Sequence, residues 1–189
     1  MKKALLILVA VALACSRESY PPIPHVRKKP KAVKRAEETA AAPSTDVGAA
    51  MPPYHATMLD GSPFDLAAAR GKKVVFLNVW ATWCGPCRFE IPELEKMHAK
   101  YGPRGFEVVG VSVDESGAEA VKPFAKEQNI GYPMVIDPPG KIANLLQTTV
   151  LPTSVLIDRG GKIVWRRIGA LMGPEPALDA AIEKALAAK

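Results

Sequence analysis

Residues 73–94, KVVFLNVWATWCGPCRFEIPEL, decide the fold of this chain. The first eight of them are almost all apolar, which is typical of a strand that is buried on both faces of a sheet. A Cys-Gly-Pro-Cys motif follows at 84–87, and apolar residues then recur with helical spacing between Glu90 and Tyr101. The stretch therefore predicts a buried strand, a short loop and a helix that opens at the cysteine pair.

The sequence on both sides of this stretch alternates between strand and helix patterns. Asp60-Gly61, between short segments at 54–59 and 62–66, predicts an N-terminal β-hairpin extension. Further strands are predicted at 106–113, 132–137, 154–158 and 162–169, and further helices at 117–129, with Ser116 as its N-cap, 141–147 and 175–188. This order predicts an α/β domain over residues 51–189, in which helices flank a central mixed sheet that begins parallel and ends in an antiparallel hairpin.

Composition limits the class of protein. The chain has 189 residues and a net charge of +6, but residues 1–50 carry nine basic and four acidic side chains, and residues 51–189 carry sixteen and fifteen. Because the predicted domain is nearly neutral, it lacks the basic face of a nucleic-acid-binding domain. Hydrophobic residues make up 48% of the chain, which is enough for a packed core, and no apolar run reaches the roughly 18 residues of a membrane span.

The N-terminus predicts export. A basic start and an apolar stretch that ends at Ala14 are typical of a signal peptide, which we assign to residues 1–14. The residues before Cys15 resemble a bacterial lipobox, although Ala12 stands where leucine is usual, so Cys15 is predicted to carry a lipid anchor. Ordinary cleavage without a lipid, or a buried first element, are the alternatives. Ser16 in place of aspartate favours the outer membrane.

Residues 15–50 are rich in proline, alanine and lysine and show no hydrophobic periodicity. Such a segment buries too little apolar surface to offset the entropy of ordering it, so we predict a disordered tether. Its basic run is interpreted as a solvated spacer, and attraction to anionic lipid head groups is the alternative.

The chemistry is concentrated in the cysteine pair. Cys84 is predicted at the first turn of a helix, where free backbone N–H groups and the helix dipole favour a thiolate over a thiol. Cys87 lies three residues on, along the same helical face, and Pro86 is tolerated in a first turn because no intrahelical donor is needed there. This layout predicts a two-step exchange, in which Cys84 attacks a substrate disulfide and Cys87 resolves the mixed disulfide.

Other uses of the pair fit less well. Zinc needs about four ligands, and the three histidines are scattered at 25, 55 and 98. Covalent haem needs a histidine directly after the second cysteine, where Arg88 stands. A purely structural disulfide stays open as an alternative, although so short a loop removes little chain entropy. We therefore predict no metal and no cofactor.

Four segments together resemble the thioredoxin superfamily and, within it, the exported TlpA/ResA-like thiol–disulfide oxidoreductases. The resemblance covers about residues 52–189 and is carried by LDGSPFDL (59–66), LNVWATWCGPCRFEIPEL (77–94), VVGVSVDE (108–115) and LPTSVLIDRGGKIVWRRIGAL (151–171). It implies a thioredoxin-like fold, and it matches Pro152 to the cis-proline that faces the cysteines and pairs with the substrate backbone. The substrate-binding surface that it implies consists of Trp83, Gly85, Pro86, Leu151 and Pro152.

The resemblance also suggests which residue moves the proton. Cytoplasmic thioredoxins carry a buried aspartate on the strand before the motif, and here that position holds Asn78, which cannot titrate. The TlpA/ResA-like branch carries an acid three residues after the second cysteine, and Glu90 takes that place. We expect Glu90 to have a raised pKa and to handle the proton of the Cys87 thiol, the alternative being an exposed glutamate. The segment before Pro152, residues 146–151, is more apolar than is usual in the family.

The function expected from these features is reduction or exchange of protein disulfides outside the cytoplasm by a monomer that receives electrons from a membrane donor. Two other classes stay open. A thiol peroxidase would need its reactive cysteine in a Thr-x-x-Cys-like setting and a distant resolving cysteine. Thr82 lies only two residues before Cys84, and no distant resolving cysteine is present. A tethered module that clamps extended peptides at Pro152 without catalysis is the second. A copper-insertion role lacks its Cys-x-x-x-Cys motif.

Overall fold

The computed structural model describes residues 45–69 and 71–188. Its strands are β1 His55–Met58, β2 Pro63–Asp65, β3 Val74–Trp80, β4 Phe106–Ser112, β5 Met134–Ile136, β6 Thr153–Ile157 and β7 Ile163–Ile168. Its α-helices are α1 Gly85–Tyr101, α2 Ala118–Glu127, α3 Lys141–Leu145 and α4 Pro176–Ala187, and short 3₁₀ helices lie at Leu66–Ala69 and Gly102–Arg104.

The seven strands form a mixed sheet in the order β2-β1-β5-β4-β3-β6-β7. β3 pairs in parallel with β4, and β4 with β5, whereas the β1–β2 and β6–β7 pairs are antiparallel hairpins. β3 also pairs antiparallel with β6. The predicted mixed sheet, its N-terminal hairpin and its closing hairpin are therefore confirmed.

Each face of the sheet has its own apolar core. Along β3, Phe76 and Trp80 pack into the core that α1, α2 and α4 cover, and Leu77 and Val79 pack into the core on the opposite face, with Ile142 of α3. All seven residues of β3 are buried, as the apolar run predicts. Because side chains alternate along a strand, the polar residue of β3 at position 78 faces the same side as α1.

Two local expectations differ from the structure. Ser116 does not cap α2, because the N-cap position falls on Gly117, which has a φ of 56° and makes no side-chain capping bond. The predicted tether ends at residue 50, yet residues 45–50 lie against the domain. The N–H of Gly48 donates to the carbonyl of Ile163 at 2.8 Å, and Arg166 donates to the Thr45 carbonyl at 3.0 Å. The domain thus starts earlier than residue 51.

None of the helices within the described residues is long and apolar enough to cross a bilayer. The signal peptide assigned to 1–14, Cys15 and the tether up to residue 44 lie outside the described residues.

Candidate active site

The cysteine pair lies at the junction between the buried strand β3 and helix α1. Cys84 is the N-cap of α1, and its Sγ accepts a hydrogen bond from the backbone N–H of Cys87 at 3.3 Å. Cys84 and Cys87 are joined in a disulfide, with their Cα atoms 5.3 Å apart. Cys84 is 5% exposed and Cys87 is 1% exposed. Cys84 is therefore the slightly more exposed of the two cysteines, and it stands at a helix N-terminus, a position that favours a thiolate over a thiol.

The loop between β3 and Cys84 is fixed by a residue that the sequence argument did not single out. Asp114, which follows β4, is buried and accepts hydrogen bonds from the N–H of Thr82 at 3.0 Å and from its hydroxyl at 2.6 Å. A third bond comes from the Ser112 hydroxyl at 2.7 Å. The signal was present in VVGVSVDE, because an acid at the carboxyl end of a strand next to β3 lies beside the motif. Asp114 thus fixes the loop that leads from β3 to Cys84.

The peptide bond between Leu151 and Pro152 is cis, as the resemblance implies. Val79 of β3 pairs with Thr153 of β6, so Pro152 lies next along the register, beside the end of β3 from which the motif departs. The Pro152 carbonyl accepts a hydrogen bond from the N–H of Gly169 at 2.8 Å. Sheet topology thus brings the proline and the cysteine motif to the same edge.

Threonines support the loop that leads to this proline. The hydroxyl oxygens of Thr148 and Thr153 are 2.9 Å apart, and the Thr153 hydroxyl also donates to the carbonyl of Val150 at 2.7 Å. Side-chain hydrogen bonds therefore hold a segment that is poor in glycine and more apolar than is usual in the family.

Glu90 is fully buried behind the cysteine pair, one helical turn after Cys87. Its Oε1 accepts from the Asn78 side-chain amide at 2.7 Å, and its Oε2 accepts from the N–H of Leu171 at 2.9 Å. The same Asn78 amide donates to the Ser154 hydroxyl at 3.0 Å. Sequence reasoning missed both Leu171 and Ser154 as partners of this network. The alternative of an exposed glutamate is wrong, since Glu90 has 0% exposure.

Burial raises the pKa of Glu90 to about 7. The hydrogen bonds from Leu171 and Asn78 and the charge of Arg167 oppose this rise without cancelling it. A group with a pKa near neutrality can both accept and return a proton under ordinary conditions. The direction of the shift agrees with the expectation for Glu90, and its catalytic role stays a prediction.

The two tryptophans of the motif region have different environments. Trp80 is buried and packs on Phe124, with ring centroids 5.4 Å apart, as expected of a core residue. Trp83 is 71% exposed, directly before Cys84. Tyr132 belongs to the same core cluster as the cysteines, and burial raises its pKa. Trp83 is therefore free to contact a substrate, whereas Trp80 is part of the core.

Cys84 and Cys87 at a helix N-terminus, a cis-proline at the adjacent strand and a buried acid behind them define a class of protein. On a mixed sheet of this topology, the arrangement is that of a thioredoxin-fold thiol–disulfide oxidoreductase. Among the described residues, no group of three or more His, Cys, Asp or Glu side chains is placed to hold a metal ion.

Comparison with known proteins identifies the family. The model described as the AhpC/TSA family matches residues 47–166. The thiol-disulfide oxidoreductase ResA of one Bacillus cereus strain is 39% identical over 123 residues, which are 65% of this chain and 70% of that relative. The chain belongs to the AhpC/TSA family and is a TlpA/ResA-like member of the thioredoxin superfamily.

Solved structures agree with this assignment. A Chlorobium tepidum structure assigned as a thiol:disulfide interchange protein DsbE has a TM-score of 0.70 and 34% identity, and the match covers 76% of this chain and 99% of that one. A secreted thiol-disulfide isomerase from Corynebacterium glutamicum has a TM-score of 0.63 and 25% identity, covering 71% and 84% of the two chains. The thioredoxin-like fold and the enzyme class are thereby confirmed.

Proposed function

We propose that this enzyme is an exported reductant of protein disulfides, in which Cys84 attacks, Cys87 resolves and Glu90 carries the proton of Cys87. The observation that carries the proposal is the buried carboxyl of Glu90 one turn from Cys87, with a pKa of about 7. A carboxyl that is buried without a cationic partner in direct contact costs stability, and its presence beside the cysteine pair favours a role in proton transfer.

The reaction balances in two steps. In the reduced enzyme the Cys84 thiolate attacks one sulfur of a substrate disulfide, that S–S bond breaks, and the departing substrate thiolate takes a proton from solvent. The Cys87 thiol then gives its proton to the Glu90 carboxylate and attacks Sγ of Cys84. The intramolecular disulfide forms, and the second substrate thiol leaves with the proton that Glu90 returns. Two electrons pass to the substrate, and a dithiol donor must restore them.

Protein substrates are favoured by the surface around the site. Most of the large apolar side chains that are exposed on the described chain belong to segments next to the redox pair: Trp83, Phe89, Val150, Ile168 and Met172. An exposed apolar surface of this kind marks a site of contact with another macromolecule. We assign five residues to substrate binding at this point: Trp83, Gly85 and Pro86, which are exposed, and Leu151 and Pro152, which are more buried.

Export and anchoring form the second part of the proposal. The basic and apolar start at 1–14 and the lipobox-like Cys15 support a periplasmic enzyme held to the membrane by lipid, with the outer membrane favoured by Ser16. A relative of known structure is described as secreted. The electrons would come from a membrane donor, because the periplasm is oxidising, and the enzyme would act as a monomer.

Partner trapping with Cys87→Ser in cells tests the proposal. Without a resolving thiol, Cys84 should hold substrate proteins as mixed disulfides, which are recovered from the envelope fraction and released by dithiothreitol. The double variant Cys84→Ser, Cys87→Ser is the matched control and should trap nothing.

Other outcomes would point to the other classes. Absence of trapped protein, together with direct consumption of peroxide by the reduced enzyme, would support a thiol peroxidase. Retained function in Cys84→Ser cells would support a binding module without catalysis. Trapped complexes confined to the cytosol would contradict export.

A further inference from the structure

Residues 169–175 connect β7 to α4 and are called the strap here. Its start is fastened to the proline loop, where the N–H of Gly169 donates to the Pro152 carbonyl at 2.8 Å. Its middle is fastened to the proton carrier, where the N–H of Leu171 donates to Oε2 of Glu90 at 2.9 Å, and the Leu171 side chain is buried. Its end is fastened to β7, where the carboxylate of Glu175 accepts a hydrogen bond from Arg167. The strap therefore touches both halves of the site.

The ion pair at the end of the strap lies next to the buried polar network. Arg167 pairs across the sheet with Ser154, whose hydroxyl accepts from Asn78, the other donor to Glu90. The side chains of Arg167 and Glu175 are 34% and 26% exposed, so salt screens their attraction less than that of a pair on an open surface. The Arg167–Glu175 ion pair is therefore placed to hold the strap in position.

We propose that Arg167 and Glu175 are positioning residues that hold the strap against Glu90 and so link the proton carrier to the Pro152 loop. This inference rests on the proposed role of Glu90 and deepens it. When the strap is fastened, a backbone N–H is presented to the carboxylate, which favours the charged form of Glu90. When the strap is released, that donor is lost, and Glu90 holds its proton to higher pH.

The groups that face Glu90 limit the other sources of such an effect. Asn78 of β3 is uncharged, and α1 itself contributes the cysteine pair, which carries no charge as a disulfide. The charge of Arg167 of β7 favours the carboxylate, and Glu90 also interacts with Tyr132, whose pKa is raised mainly by burial. In the oxidised enzyme, the titration of Glu90 therefore reports on the strap and on the charges of Arg167 and Glu175.

Glu175→Gln separates positioning from simple electrostatics by the sign of its effect. If only charge acts, removing the negative charge of Glu175 leaves Arg167 uncompensated, and the Glu90 midpoint falls. If the strap is released, loss of the Leu171 N–H bond raises the midpoint by about one pH unit, since a hydrogen bond to a charged group is worth about that much. The measurement is the ¹³C NMR titration of the Glu90 carboxyl in the oxidised full-length protein.

A matched control is available elsewhere in the domain. Arg104 and Glu183 form an ion pair of 2.7 Å, and Glu183→Gln should leave the Glu90 midpoint unchanged. In the unmodified protein, the amide signals of Gly169 and Leu171 should shift with the same midpoint as Glu90.

A fallen or unchanged midpoint in Glu175→Gln, or amide signals that do not follow Glu90, would overturn the inference. The oxidised protein is used because it contains no thiol chemistry. A negative result in this titration therefore does not affect the trapping result, and a negative trapping result does not affect the interpretation of this titration.

Discussion

Replacing Glu90 by glutamine should change how the stability of the oxidised protein depends on pH. In the folded protein the pKa of Glu90 is about 7, against 4.5 for an ordinary glutamate. Between these two values the folded state keeps a proton that the unfolded chain has released. The free energy of unfolding therefore falls as pH rises through this window, and glutamine removes that part of the fall.

The magnitude follows from the difference in pKa. One pKa unit corresponds to about 1.4 kcal/mol, so the gap between 4.5 and about 7 corresponds to about 3 kcal/mol. Glutamine also brings a fixed cost of about 1–3 kcal/mol, because Asn78 and Leu171 both donate to Glu90 and the amide has only one oxygen to accept. That cost is equal at every pH. The difference in stability between variant and parent should thus move by about 3 kcal/mol in favour of the variant from about pH 4 to about pH 8.

Urea unfolding of both oxidised proteins at several pH values measures this difference. Glu93 lies on the same helix and is partly exposed, so Glu93→Gln controls for the loss of one carboxylate. If the free energies of unfolding of parent and Glu90→Gln run parallel across the window, the protonation argument for Glu90 is refuted. The fixed cost does not affect this test, because only the slope with pH is compared.

Two further predictions concern packing and hydrogen bonding around the site. In Gly110→Ala a Cβ would stand 2.7 Å from Sδ of Met134, so overpacking should lower the free energy of unfolding by about 1–3 kcal/mol in urea denaturation. In Asp114→Asn, one of the two oxygens that accept hydrogen bonds from the Thr82 N–H and hydroxyl becomes an NH₂ donor. The free energy of unfolding should fall by about 1–3 kcal/mol, and hydrogen exchange at the Thr82 amide should become faster. The neighbouring exposed Glu115→Gln is its control, and equal exchange in both variants would contradict the role of Asp114.

The parts of the site that sequence could predict are those that depend on residue type. The almost entirely apolar run at 73–80 predicts β3, and the Cys-Gly-Pro-Cys motif with helical spacing after it predicts α1. The cis-proline came from resemblance, because nothing in residue type alone distinguishes it from a trans proline before a strand. Asp114 lies within the segment VVGVSVDE, but its bonds to Thr82 depend on how the two loops meet in the fold, which residue type alone does not specify.

The parts that sequence could not predict depend on backbone atoms. The N–H groups of Leu171 and Gly169 bind Glu90 and the Pro152 carbonyl, and any residue type other than proline could supply them. Serine is a common N-cap, so the sequence predicts Ser116 as the cap of α2, yet Gly117 with its positive φ takes that position. The course of the backbone into α2 therefore outweighs the local capping preference of serine.

Asn78 and Glu90 are best understood as one unit rather than as two separate departures from cytoplasmic thioredoxins. Asn78 lies on the face of β3 that α1 covers, and its amide nitrogen is 2.7 Å from Oε1 of Glu90. An aspartate at position 78 would set two carboxyl groups at that distance, and only one of them could ionise. Asparagine instead uses one hydrogen for Glu90 and the other for Ser154, so no donor of this amide is left unpaired. The neutral amide of Asn78 therefore supplies a donor to the helix acid without placing a second ionisable carboxyl beside it.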